Sequence, residues 1–415
     1  MDFNAFVASL SLPAEAAEKV AVEFAAPWAA MAERLPPDEY AARFLSPEAV
    51  RRNWEMATGL PPSSLGEVFD VAAHVRADQR LTAIAALLHW TLFEDADGPG
   101  TWTMPYPGDA LADEAEQGPF NLLVALGFAP AFSHRNLARG VPAAVVSETL
   151  RQISCYDYNF RRAHGRSGIF RRQLSWLHGY LPPHKYFRLG RLEFQLKPNG
   201  QEAVVYRNRR DGTLAVAAPP GLAFTADGRL CHVNRPVPAD ARRTVFEESP
   251  EALTCNLVGP DGGIAPAPAV LGMREWECAL RKGDPVLETH IPSGGGLLPK
   301  LVDDSFNRSF AFFDKYFPGH GAKALVCSSW LLSPQLRECL PHGSNILSFQ
   351  ERFRKLPVAP HNGSEGGLWF LFLKHPPYDP ATLPRDTSMR KAVAEWLERG
   401  NTFLGGAGFV LKDSV

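Results

Sequence analysis

The chain lacks an excess of charge of either sign: 43 Lys and Arg stand against 45 Asp and Glu, a net charge of −2. No whole-molecule field therefore draws it to nucleic acid or to an anionic membrane. Long hydrophobic runs are also missing. None approaches the ~20 residues that a membrane helix needs, and Met1-Asp-Phe-Asn-Ala5 has no basic segment of the kind that opens a secretory signal. The six cysteines, at 155, 231, 255, 278, 327 and 339, include no CxxC pair. A chain of this size needs no disulfide staples, so reduced thiols in a cytoplasm are expected, with no zinc or other metal. The histidines outside residues 286–350 show neither HExxH nor HxxxH spacing. Internal repeats at solenoid periods are absent as well.

What is present is a globular composition, 45% hydrophobic over 415 residues, long enough for two or three domains. The first part reads as helical. Ser11-Leu-Pro13 suits a helix start with Ser11 or Leu12 as cap, followed by an Ala-rich helix over 14–35 with a kink at Pro27. Ser46-Pro47-Glu48 is an N-cap followed by proline at the first helical position. Residues 67–93 hold one or two helices, and 142–160 another. Loop signals occupy 95–100, and Asn362-Gly-Ser364 spells a glycosylation triplet.

The pattern then changes. Residues 188–196 alternate and read as a strand. Between 198 and 285, Asn199-Gly200, Asp211-Gly212, Asp227-Gly228 and Asp261-Gly262 separate short β-like runs, the mark of hairpins. Strands and helices alternate from there on. Strands are expected at 286–291, 323–332, 368–373 and 409–412. Helices are expected at 301–317, just after Ser333-Pro334, at 346–353 with Ser344 or Asn345 as cap, and at 386–399. The fold class is α/β (α+β): a helical N-terminal domain over 1–165, then a mixed-sheet domain over 166–415 with a β-rich insertion at about 198–285.

One stretch carries the chemistry: Val286-Leu-Glu-Thr-His-Ile-Pro-Ser-Gly-Gly-Gly-Leu-Leu-Pro-Lys300. It reads as strand, glycine loop and helix. Val302, Phe306, Phe310, Phe313 and Phe317 give that helix one apolar face. A glycine loop at a helix entry exposes backbone N–H groups where the helix dipole favours phosphate. It is no Walker loop, since Lys300 is followed by Leu301, and it lacks the GxGxxG order. Period two puts Glu288 and His290 on one face of the strand, where either could take a proton; His290 could instead cap a carbonyl. Cys327 and Ser329 lie on the next strand. Cys327 is open to two readings, packing or a thioester nucleophile with His290 as base. Ser329 is a candidate hydroxyl donor or acid. Asn345 is a candidate oxyanion or ligand contact, or a helix cap. Trp176, Tyr180, Tyr186 and Phe187 line a pocket or pack locally.

Four segments together carry a family resemblance: His290-Ile-Pro-Ser-Gly-Gly-Gly296, Asp304-Ser-Phe-Asn-Arg-Ser-Phe-Ala-Phe-Phe313, Cys327-Ser-Ser-Trp-Leu-Leu-Ser-Pro334 and Ser344-Asn-Ile-Leu-Ser-Phe-Gln350. The chain resembles a bacterial family of acyltransferase-domain proteins. These join a helical N-terminal N-acyltransferase domain to a C-terminal domain like the GNAT superfamily. The resemblance implies coenzyme A or acyl-CoA as cosubstrate, with Ile291, Ser293, Gly294, Gly295, Gly296 and Leu297 as its contacts, and Asn345 is a further candidate contact. Glu288 sits where many members of the superfamily place a basic carboxylate, and the candidate catalytic groups are His290, Glu288 and Ser329. The loop departs from the superfamily pattern, because it contains no Arg or Gln, and Asp303 and Asp304 follow it closely.

The expected activity is transfer of an acyl group from a CoA thioester to an amine acceptor, a small molecule or peptide, by direct attack. Two alternatives stay open: a Cys327-dependent acyl-enzyme or thioesterase, and a non-catalytic acyl-CoA-binding protein. No nucleic-acid partner is expected.

Overall fold

The computed structural model describes residues 1–95, 106–107, 110–181, 185–231, 236–357, 363–401 and 405–415, and for 363–366 the backbone alone. Most of the loop at 95–100, and Asn362 of the glycosylation triplet, lie outside the described residues. The chain forms two compact units. One is Met1–Leu189 with Pro292–Gly294; the other is Gly190–Ile291 with Gly295–Val415.

The first unit is helical. Its Ala14–Arg34 helix contains Pro27, as expected, but the residue at its cap position is Pro13 and no side chain caps it. Ser11, expected as a cap, sits at φ 52° instead. Ser46 does cap the Pro47–Met56 helix, accepting from the Ala49 N–H at 3.3 Å. The run 67–93 is two helices, Ser63–Ala77 and Gln79–Phe93. Asp78 divides them, because its carboxylate accepts the Arg80 and Leu81 N–H groups and so starts the second. Residues 81–93 are all buried, so the Gln79–Phe93 helix runs through the middle of this unit. Ala143–His164 follows, and Thr149 on it accepts the Arg188 N–H of the Tyr186–Leu189 strand at 3.1 Å. Tyr180, Tyr186 and Phe187 are buried in the unit's core, and only Trp176 is largely exposed.

The second unit is built on a mixed sheet. Its strands run in the order Leu192–Pro198, Pro285–His290, Ala324–Ser329, Gly406–Leu411, Arg354–Leu356. Pro285–His290 pairs antiparallel with Leu192–Pro198 and parallel with Ala324–Ser329. The parallel pair is joined through the Pro299–Tyr316 helix, as a crossover connection requires. On that helix Val302, Phe306, Phe310 and Phe313 are buried, with Phe317 buried just beyond it. Their three- and four-residue spacing is what made the helix visible in the sequence.

Val205, Val216 and Leu280, from the β-rich stretch between 198 and 285, pack on Val286, Val326 and Phe409 of the sheet. Glycines of the Asp-Gly turns at 212, 228 and 262 take positive φ, whereas Gly200 does not. Asn199 there binds the Arg281 carbonyl through its side-chain amide and accepts the Gln201 N–H.

Three expectations need correction. Residues 188–196 are not one strand, since a turn at Gly190-Arg191 separates Tyr186–Leu189 from Leu192–Pro198. The strand expected over 323–332 stops at Ser329, and Trp330–Leu332 is a short 3₁₀ turn. The run 368–373 is helical as far as Phe372, the end of the Gly363–Phe372 helix. A short, wholly apolar run has no period to tell a buried strand from a buried helix. Among the described residues no helix is long and apolar enough to cross a membrane, and no His, Cys, Asp and Glu cluster could hold a metal.

Candidate functional site

The strand that ends at His290 fixes two polar side chains on one sheet face. Alternation points Val286, Glu288 and His290 the same way. Their antiparallel partners on that face are Lys197 opposite Val286, Gln195 opposite Glu288, and Glu193 opposite His290. Side chains directly opposite stand roughly 4.5–5.5 Å apart at Cβ. Glu193 is 1% exposed and Gln195 7%. Glu288 forms an ion pair with Lys197. The result is a row of buried and half-buried polar groups on a face that is otherwise apolar. Burial lowers His290 to a pKa of about 4; the Glu288 carboxylate works against this and the Lys197 ammonium adds to it. The ring is therefore neutral at physiological pH.

The next strand parts from this one just where these groups sit. Pairing between them covers Val286↔Ala324, Leu287↔Leu325 and Glu288↔Val326 only. On their outer sides both strands stay paired to their ends, through His290↔Glu193 and Ser329↔Gly406. The parallel strands thus diverge past Glu288 and Val326, which opens a notch in the sheet.

Cys327 and Ser329 alternate with Val326, so they belong to the opposite face from Glu288 and His290. Cys327 is fully buried, and burial, with the Glu288 charge second, pushes its thiol well above the usual range. The Ser329 hydroxyl accepts the Leu331 N–H at 3.2 Å, capping the turn that follows. The structure brings Glu288 and His290 together and leaves Ser329 and Cys327 on the other side.

Beyond His290 the chain passes half-buried Ile291 and enters the glycine turn. Ser293 lies in the first unit, where its hydroxyl accepts from the Asn159 side-chain amide at 2.9 Å. Gly294 and Gly295 take φ 86° and 66°, values that side-chain-bearing residues adopt only under strain, so the first two glycines follow from the shape of the turn. Gly294, Gly295 and Gly296 are exposed, and Leu297 is buried.

The Pro299–Tyr316 helix begins after Leu298 with no side chain capping it. Its first residue, Pro299, has no N–H, and the Leu301 N–H returns to the Leu298 carbonyl at 3.0 Å, so what the helix start lends the glycine turn is the positive end of its dipole. The two acidic residues that follow are occupied. Arg352 grips Asp303 with two hydrogen bonds, of 2.6 and 2.9 Å, and holds its carboxyl below the usual range. Asp304 pairs with Arg308. Ser344 caps the Asn345–Glu351 helix, while the Asn345 amide nitrogen lies 3.8 Å from where a Gly296 Cβ would stand.

The sequence alone did not single out Glu193, Gln195, Lys197 or Arg191. Arg191 donates from Nε to the Gly296 carbonyl and from Nη2 to the Gly295 carbonyl, both at 3.2 Å. The alternation Leu192-Glu-Phe-Gln-Leu-Lys197 signals a polar strand face; nothing in it names the strand alongside.

With this geometry in hand, comparison with known proteins is decisive for the family. The GNAT-like C-terminal domain matches residues 186–410, more than half of the chain. The chain belongs to that family. The N-acyltransferase N-terminal domain matches residues 54–181, so the GNAT-like domain follows a helical acyltransferase partner, as the resemblance implied.

Solved structures are similar over nearly the whole length. An acyltransferase in complex with decanoyl-CoA and teicoplanin is 23% identical, with a TM-score of 0.63 over 99% of both chains. A mutant acyltransferase in complex with octanoyl-CoA is 22% identical, with a TM-score of 0.62 over 99% of both. A third acyltransferase, in complex with CoA and 10C-teicoplanin, is 23% identical, with a TM-score of 0.62 over 99% of both. At such identities the likeness is one of fold. No curated protein matches the sequence.

Proposed function

We propose that this GNAT-like protein moves an acyl group from a CoA thioester to an amine by direct attack. The observation that carries the reading is the continuity of one strand, bearing Glu288 and His290, with a glycine turn and an uncapped 18-residue helix. The N–H groups of Gly295, Gly296 and Leu297, reached through Ile291, Ser293 and Gly294, would receive the CoA diphosphate, with the Asn345 amide beside them. The notch past Glu288 suits the amide-bearing arm of the thioester. In the step itself the amine nitrogen bonds to the thioester carbonyl carbon and the C–S bond breaks. The amine's proton passes to His290 or Glu288, directly or through water, and the departing thiolate is protonated. Glu193 opposite His290 fits a role in holding the imidazole.

Structural neighbours carry octanoyl- and decanoyl-CoA, which makes decanoyl-CoA the first donor to test and a glycopeptide amine the first acceptor. A covalent route through Cys327 is disfavoured by its position across the sheet from His290.

Ligand at about 100 times its dissociation constant adds roughly 2.7 kcal/mol to stability by mass action, so CoA and decanoyl-CoA should raise the melting temperature. Gly295→Val should abolish the shift. CoA release that depends on an added amine supports direct transfer. No shift with any acyl-CoA removes the donor assignment.

A further inference from the structure

We infer that Arg191 is the organiser of the phosphate seat at the glycine turn, fixing its backbone donors toward the diphosphate of CoA; this rests on the CoA reading above. Residues 292–299 carry no charge of their own. The cation comes from elsewhere in the chain. Arg191 stands just before the Leu192–Pro198 strand, where the positive φ of Gly190 turns the chain. Its backbone N–H donates to the Ser305 hydroxyl at 2.9 Å, and that hydroxyl donates to the Leu301 carbonyl at 2.9 Å. Arg191 is thereby tied to the helix that the turn leads into.

Its guanidinium then holds the carbonyls of Gly295 and Gly296. In a trans peptide the C=O and the following N–H point in opposite directions. Fixing these two carbonyls on the guanidinium therefore turns the N–H groups of Gly296 and Leu297 away from it, side by side. Glycines by themselves leave such a turn many conformations. Two hydrogen bonds from one planar group select the conformation in which both donors serve one anion. An ammonium lacks this flat two-pronged geometry. The positive charge also sits one peptide behind the donors, on the side that a bound diphosphate does not need. Asp303 and Asp304 do not oppose it, because Arg352 and Arg308 engage them.

The test compares two donors with the same acyl chain. Decanoyl-CoA carries the diphosphate; decanoyl-pantetheine keeps the thioester arm and has no phosphate. Charged-group hydrogen bonds are strong enough that losing two should raise KM at least tenfold. Arg191→Ala and Arg191→Gln should each raise KM for decanoyl-CoA by about tenfold or more, with kcat within threefold. Both variants should leave KM for decanoyl-pantetheine within twofold, and Arg191→Lys should restore less than half of the loss. Two variants guard against one that fails to fold. An equal rise for both donors would make Arg191 merely structural, and no rise for either would remove it from the seat; each result overturns the proposal. The two readings fail separately: wild-type protein that neither binds nor uses decanoyl-CoA sinks the CoA assignment, whereas normal wild-type kinetics with unchanged variants sinks only Arg191.

Discussion

Two histidines in different regions of the molecule are both held neutral by burial, yet their surroundings differ. His89 is lowered to a pKa of about 3, by burial first and the Arg43 charge second. His290 is lowered to about 4. Around His89 the neighbours are aromatic. Phe44 stacks on its ring at 4.2 Å, Phe93 meets it edge-on at 5.0 Å, and its Nδ1 meets the Tyr40 hydroxyl at 2.7 Å. Gly127 lies so close that a Cβ there would fall 2.1 Å from the ring's Nε2. Around His290 stand Glu193, Glu288 and Lys197, at a strand end where the sheet opens. A depressed pKa thus reports burial and says little about role. The partners make the distinction: the His89 ring, packed among phenylalanines, completes a core, whereas the His290 ring stands beside half-buried charged side chains, the setting that the proposed proton transfer needs.

The largest expected effect tests that distinction directly. His290→Ala should cut turnover by roughly 10²–10⁴, the usual loss for a positioned base, with acyl-CoA affinity within a few-fold. His89→Ala should leave turnover per folded molecule unchanged and lower unfolding stability by roughly 3 kcal/mol, as for other large buried rings. Steady-state kinetics with urea titration of both variants decides it. Equal losses of turnover would erase the difference between the two sites.

A smaller effect is expected in pH dependence. Both rings have folded pKa values below the unfolded value of roughly 6.5. Between the two values the unfolded chain binds a proton that the folded chain refuses, so stability rises with pH across that window. It is complete above about pH 6.5 and is lost as the pH falls toward 4 for His290 and toward 3 for His89. Each group contributes about 1.4 kcal/mol per pH unit well inside its window. These two rings should therefore make stability at pH 7 and pH 5 differ by about 4 kcal/mol in the wild type, and by about 2 kcal/mol in His89→Phe. An unchanged difference in His89→Phe would mean that His89 is not held neutral. Glu288→Gln sharpens the other side of the comparison. The Glu288 carboxylate works to raise the His290 pKa, so with it neutralised the acid limb of the kcat–pH profile should move to lower pH, whereas a Glu288 without influence on the ring would leave that limb in place.

How far the sequence reaches differs between these regions. The phenylalanine spacing of 306, 310, 313 and 317 fixes a helix and its buried face, because period and length agree. Ser46-Pro47 marks a helix start through local chemistry alone. The Glu288 and His290 pairing on one face needs only the two-residue period of a strand. Arg191 could not be read, because its contact with Gly295 and Gly296 depends on a turn more than a hundred residues earlier docking on the Ser305 helix. Glu193 was hidden for a related reason. Its strand and that of His290 are neighbours in the sheet, but the long β-rich stretch from 198 to 285 lies between them in sequence. The helix at 363–372 misled, since its apolar run carries no period.

The smallest effect should come from the face opposite His290. Cys327 is a nucleophile near the site that could, in principle, hold an acyl group covalently, and its thiol would need to ionise to do so. Burial holds it protonated, and its alternation with Val326 directs it away from Glu288 and His290. Its surroundings are those of a small packing residue. Cys327→Ala should thus retain turnover within about threefold and lose roughly 1 kcal/mol of stability from the lost packing. Incubation with decanoyl-CoA, followed by intact-mass measurement, should show no decanoyl adduct on the wild-type protein. An adduct that vanishes in Cys327→Ala would move the chemistry to the other face of the sheet and make His290 a partner of the wrong region.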